Sequence, residues 1–393
     1  MKFTRLAWVG LTMTIALSQT TQAQYSFLGN MERYERQESG VILYCENNME
    51  LSIQFLHDGI FRVVLIRPDY QEPLLTYPLA NTQWRPVALE ITEENEYVKV
   101  ASREIDLLIH KTPCRLTVLD KQGNVINKDD PGMGIGWDGK EVRCWKSIAR
   151  DERFFGLGEK TGDVNKRGRE YVMWNSDHPG YSNKMDPLYQ SIPFFIGIHK
   201  NNAYGIYFNN SYRTTFNMGA GNRRYYSFAA DQGNLDYFFI YGPKISRVVS
   251  LYGELTGKMP LPPMWALGYQ QCRWSYYPDK EVINLARTFR EKKIPADVIY
   301  LDIHYMDGYR VFTWDKTRFP EPEKMLRELE EMGFRVVTII DPGVKVDSNY
   351  TMAKEGIAGK HFLRYPDGAV YVGEVWPGPA FFPDFSHPAT RRW

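Results

Sequence analysis

Hydrophobic and polar positions change their rhythm once along this chain. From Gln24 to about Gly257 they run in short stretches that suit strands with one buried and one wet face, at 41–45, 51–56, 60–66, 97–101, 105–110 and 115–119. Turn chemistry separates them: His57-Asp58-Gly59, Arg67-Pro68-Asp69 and Lys121-Gln122-Gly123-Asn124. Many short strands at this spacing predict an all-β sandwich, with one connecting helix over 246–255. After Leu261-Pro262-Pro263 the pattern becomes strand 266–270, helix 279–292, strand 298–303, helix 322–332 and strand 336–340. The helices carry apolar Val282, Leu285, Ala286 and Phe289, then Met325, Leu326, Leu329 and Met332, each set at helical spacing. Pro278 precedes the first helix and Gly333 ends the second.

Strands alternating with helices predict parallel β/α units joined by right-handed crossovers. The run 298–301 is apolar throughout, as in a strand covered on both faces, and it ends on Asp302. Beyond Asp341 the alternation is interrupted: 362–371 reads as a hairpin around Pro366-Asp367-Gly368, and Pro388 opens a final helix. A closed eight-unit barrel takes about 250 residues, so 263–393 holds roughly three of its units. The expected architecture is therefore multidomain: an N-terminal sandwich over 24–257, then an incomplete (β/α)8 barrel over 258–393.

The first residues change the picture of where the protein works. Basic Lys2 and Arg5, the apolar run 6–17 and Thr21-Gln22-Ala23 read as a secretory signal over 1–23, so export to the periplasm or the outside is expected. Twelve apolar residues fall short of the ~20 that span a bilayer, and no other stretch is long enough. Without Lys2 and Arg5, 46 basic residues stand against 47 acidic, a balance that excludes nucleic acid and anionic membrane as partners. Cys45, Cys114, Cys144 and Cys272 are scattered; buried free thiols are favoured over a single disulfide, and no metal-ligand spacing occurs. No metal and no cofactor is expected.

Two strands end in acids, Asp302 and Asp341. Strands lie about 4.8 Å apart, so the two carboxylates fall within ~5–9 Å of one another, the separation that glycoside hydrolysis uses. Spacing leaves two readings open: an acid and nucleophile pair, or carboxylates that only bind hydroxyls or anchor loops. Aromatic residues make up 15% of the chain; most serve a β core, but Trp376, in Gly373-Glu374-Val375-Trp376-Pro377-Gly378, sits in a turn that presents it to a ligand.

At these residues the chain resembles glycoside hydrolase family 31, its α-glucosidase group. The matching segments are FFGLGEK (154–160), MWNSDHP (173–179), YGIYFNNSYRTTFNMG (204–219), PPMWALGYQQCRWSYY (262–277), LDIHYMDGYRVFTWD (301–315), IIDPGV (339–344) and GEVWPGPAFFPDF (373–385). The resemblance implies a sandwich preceding a barrel, and a retaining mechanism with two aspartates acting on an oligosaccharide or α-glucoside. It assigns substrate binding to Asp302 with Ile303 beside it, to the wall residue Ile339, to Trp274 and Trp376, and to Asp177 on a sandwich loop, and it moves Asp341 behind these. His304 stands where many relatives carry a second Asp. The family's nucleophile lies in a W-x-D-M-N-E type motif and its acid/base further on; neither motif occurs in these 393 residues. A C-terminally truncated member lacking catalytic residues is expected, the alternative being a carbohydrate-binding or scaffolding protein derived from the family. Linkage preference and oligomeric state stay open.

Overall fold

The computed structural model describes residues 25–70, 72–341, 343–376 and 378–393. The signal at 1–23 lies outside them. The chain divides into two compact units, one through Lys258 and one from Met259.

The first unit is built from three antiparallel sheets of six, five and eight strands. Strands such as Ile105–Lys111 alternate buried and half-buried positions, as their sequence predicts. Asp236–Gly242 is buried at all seven positions, because both faces of its sheet are covered. Tyr237, Phe239 and Tyr241 join the main core, while Phe238 and Ile240 turn the other way, into a second cluster with Val248, Leu251 and Leu255. Those last three residues belong to the helix Ile245–Thr256, which packs on that face. A continuous apolar strand is thus the signature of a sheet between two layers.

The core of this unit also encloses a charge pair. Lys146 Nζ lies 2.6 Å from Asp129 Oδ1, with side chains 3% and 2% exposed. Lys146 also donates to the Tyr237 hydroxyl at 3.0 Å, and Leu116 N donates to Asp129 Oδ2 at 2.7 Å. Every atom of the pair that needs a partner has one, the condition under which a buried ion pair persists.

The second unit holds a parallel three-stranded sheet, Gln270–Gln271, Val298–Leu301 and Arg335–Thr338 in spatial order. Helices Asp279–Glu291 and Pro322–Glu331 connect them, and Val282, Ile283, Ala286, Met325 and Leu329 share one buried cluster with Ile299 and Leu301. All three strands are shorter than the sequence pattern predicts. The stretch expected as strand 266–270 opens instead as a 3-10 turn, Met264–Leu267, closed by Ala266 N donating to Pro263 O at 2.9 Å. No neighbouring strand faces those residues, since pairing begins at Gln270 opposite Val298. The second strand stops at Leu301 because the Asp302 carboxylate captures Ile303 N and turns the chain into the 3-10 segment Ile303–Tyr305. The third strand then loses its partner and ends at Thr338.

Beyond residue 343, Val344–Lys345, Gly378–Phe381 and Val372–Val375 form a small antiparallel sheet. The expected turn at Pro366-Asp367-Gly368 is present, bridged by Arg364 and Val370. The helix Thr351–Ala358 has no counterpart in the sequence reading. Its buried side is made of Ala353 and Gly356, too small to register as an apolar stripe. Gly356 is required there: a Cβ would come within 2.2 Å of the Phe362 ring.

Candidate active site

Parallel strands deliver their C-terminal ends to one side of a sheet, where β/α folds place ligands. Here those ends carry Cys272, Asp302 and, three residues past its strand, Asp341. Asp302 is the shared neighbour. Burial, and then the Asp302 charge, raise the Asp341 carboxyl above the usual carboxylate range. The same two causes, in the same order, raise the Cys272 thiol. Asp302 Oδ1 accepts from Ile303 N at 2.6 Å; among the described residues Oδ2 has no partner, which leaves it able to accept from a ligand hydroxyl.

An aromatic group borders this acid patch. The His304 ring stacks on Tyr277, 4.8 Å between centroids and 7° from parallel, and meets Tyr309 edge-on at 5.7 Å and Trp274 at 5.9 Å. Arg318 donates to His304 O at 3.2 Å and lies 4.9 Å from the Tyr277 ring centre, so the loops after the first and second strands are fastened together. Trp274 itself is 66% exposed, a flat apolar face open to solvent. Ile303 points the other way and belongs to the buried core. Ile339 is partly exposed, its backbone tied on both sides: Ile339 N donates to Leu301 O at 3.0 Å, and its carbonyl accepts from the Tyr305 hydroxyl at 2.9 Å.

Trp376 occupies the two-residue turn between Val372–Val375 and Gly378–Phe381 and is 69% exposed. Gly343, two residues after Asp341, seats this hairpin. A Cβ at 343 would come within 2.8 Å of Ala380 and 3.2 Å of Val375, the residue before Trp376.

Asp177 belongs to the first unit. It is exposed on the long loop between Glu170–Met173 and Ser191–His199, and its negative charge helps hold the Tyr189 hydroxyl above its ordinary value, after the larger effect of burial. The base of that loop is clamped. Lys160 Nζ, its side chain fully enclosed, donates to Val172 O at 2.6 Å and to Asp186 Oδ1 at 2.7 Å, while Asp186 Oδ2 accepts from Val172 N at 2.6 Å. Ser176 N donates to Leu188 O at 2.9 Å, closing the tip that carries Asp177.

Within the second unit, then, Asp302 and Asp341 come together. The ring cluster around His304, with Tyr277 and Tyr309, was not assigned from the sequence, nor was Cys272 beside Asp302. The density of aromatic residues directly after predicted strands was the available signal. Among the described residues no group of three or more His, Cys, Asp or Glu is arranged to hold a metal ion.

A strand-rich unit thus precedes parallel β/α units with acids at their strand ends and the exposed indole of Trp274 beside them. Residues 259–393 match the glycosyl hydrolases family 31 TIM-barrel domain, and residues 50–217 match the glycosyl hydrolase 31 N-terminal galactose mutarotase-like domain. The chain belongs to glycosyl hydrolase family 31. It is 40% identical over 368 residues to alpha-glucosidase 2 of Bacillus thermoamyloliquefaciens, covering 93% of this chain and 46% of that protein. It is 39% identical over 262 residues to an alpha-glucosidase of Saccharolobus solfataricus, covering 67% and 38%. Among solved structures it is similar to a Flavobacterium johnsoniae GH31 dextranase complexed with isomaltotriose: TM-score 0.88, 33% identity, 94% of this chain and 45% of that one. The chain thus spans less than half the length of these relatives.

Proposed function

We propose that this chain supplies the substrate-holding part of a glycoside hydrolase that releases terminal α-linked glucose from oligosaccharides. The observation that carries the reading is Asp302, a carboxylate with a free oxygen at the end of a parallel strand, bordered by the exposed indole of Trp274. A carboxylate accepts hydrogen bonds from two sugar hydroxyls in directions that a neutral group meets less strongly, and an indole face covers the C–H side of a pyranose. Relatives named as alpha-glucosidases, and a dextranase with isomaltotriose bound, support the choice of α-glucosides. In this reading Asp302 grips the terminal sugar, and Ile339, Trp274 and Trp376 shape its surroundings. Retaining hydrolysis needs a nucleophile and an acid/base, and residues 1–393 contain neither family motif for them. These residues therefore hold sugar without cutting it. Export, read from residues 1–23, is part of the same proposal; among the described residues no helix is long and apolar enough to cross a membrane.

Calorimetry with isomaltose and maltose, beside an assay on a nitrophenyl α-glucoside, tests the reading. Saturable binding without turnover is expected, and Asp302→Ala should weaken binding about 10- to 100-fold, the value of hydrogen bonds to a charged group. Turnover by this chain that Asp302→Ala abolishes would instead make Asp302 and Asp341 the catalytic pair.

A further inference from the structure

Cys45 and Cys114 are far apart in sequence, 69 positions, and belong to different sheets. Cys45 ends the strand Gly40–Cys45 of the eight-stranded sheet, and Cys114 begins the strand Cys114–Asp120 of the five-stranded one. One short segment brings them together. Cys45 is the cross-strand partner of Met31, and Cys114 N donates to Gly29 O at 2.8 Å, so both flank residues 29–31. Both side chains are enclosed in the same core, Cys114 2% and Cys45 1% exposed, on either side of that segment. Both are free thiols in this structure, as are Cys144, also buried, and Cys272, which is exposed and departs from the expectation that all four would be buried.

We propose that Cys45 and Cys114 are an oxidisable pair that closes to a disulfide joining the two sheets when the chain folds in an oxidising medium. Each thiol gives up one proton and one electron to an incoming disulfide, such as oxidised glutathione or a disulfide oxidoreductase. A sulfur–sulfur bond forms between the two cysteines, and the incoming disulfide leaves as two thiols. Contact with Cys45, and then burial, hold the Cys114 thiol well above its ordinary range, so little thiolate exists once the core has closed. Exchange is therefore confined to folding, and the bond, once made, is shielded from reductant. Cys144 lies in the same core, but burial raises its thiol to about 12, and its sheet is the third, six-stranded one. Closing a long loop removes freedom chiefly from the unfolded chain, which is where such a staple acts.

The test refolds the 393-residue chain from urea and reductant into a buffer of reduced and oxidised glutathione. Free thiols are then alkylated under denaturing conditions, and a tryptic digest is weighed without reduction. The expected product is the peptide 37–62 joined to the peptide 112–115, lighter by two hydrogen atoms than the separate pair, with Cys144 and Cys272 alkylated. Cys144→Ser should leave that product unchanged, and the oxidised chain should melt at a higher temperature than the same chain refolded with reductant. Alkylated or glutathione-capped Cys45 and Cys114 would overturn the proposal. So would a Cys45 or Cys114 peptide joined to Cys144 or Cys272, or protein that precipitates only in the oxidising buffer.

Discussion

The two units answer the same physical problem to different degrees. In the first, the strand Asp236–Gly242 of the eight-stranded sheet is covered on both faces, by the sandwich core and by the helix Ile245–Thr256, and even the unit's internal charge, Lys146 of the six-stranded sheet, is matched by Asp129. In the second, Ile299 and Leu301 of a three-stranded parallel sheet are sealed against the helices while Tyr300 is only half-buried, and apolar side chains stand in solvent in the stretches that flank the strands: Leu261 is 92% exposed, Met264 85% and Ile340 53%. Crossover helices normally cover both faces of a parallel sheet. The lesson is that matching family sequence and packing to completion are separate properties. Both units match the family, and the most exposed large apolar side chains among the described residues, Leu261 and Met264, belong to the second.

That contrast is open to attack by substitution, with unfolding in urea expected to show one transition for each unit. The largest effect belongs to Lys146→Ala, which strands the Asp129 carboxylate in the core. A loss of about 3–5 kcal/mol is expected, confined to the first unit's transition. Leu301→Ala, in the buried cluster of the second unit, should cost about 2–5 kcal/mol and move only the other transition. A single transition shifted by both variants would mean the two units unfold together and would break the comparison.

Smaller effects sharpen it. The Asp341 carboxyl is raised in the folded protein, so ionising it opposes folding. The stability associated with the protonated form is fully present below the unfolded value near pH 3.9 and is lost as pH rises through the higher folded value. Asp341→Asn should therefore match the wild type near pH 3 and stabilise the second unit at pH 7, read as a rise in its urea midpoint. Equal midpoints at both pH values would mean that neither burial nor the Asp302 charge opposes ionisation of Asp341. Smallest of all, Ile340→Ser at a half-exposed position should change stability by less than about 0.5 kcal/mol while reducing light scattering of the concentrated protein.

The sequence made some of this visible and hid the rest for definite reasons. Alternation at Ile105–Lys111 and the mostly apolar run at Ile60–Ile66 are local patterns, and both strands stand where a period of two or a run of buried side chains puts them. Asp302 was legible because a carboxylate directly after Val298–Leu301 breaks a hydrophobic run. What failed depended on partners. The 266–270 stretch finds a partner strand only at Gln270, and Thr351–Ala358 packs through Ala353 and Gly356, whose small side chains carry no apolar signal. Cys272 and the rings around His304 meet only after the strand ends are brought side by side, a juxtaposition that no one-dimensional period encodes.

Gly343 has a consequence that reaches beyond its own position. Any side chain there would have to displace Ala380 or Val375, and with them the hairpin on which Trp376 stands. An absent methyl group thus sets where the turn that carries an indole can sit. On the proposed function, a collection of random variants screened for weakened sugar binding would turn up hits at this position, through the hairpin and not through Gly343 itself.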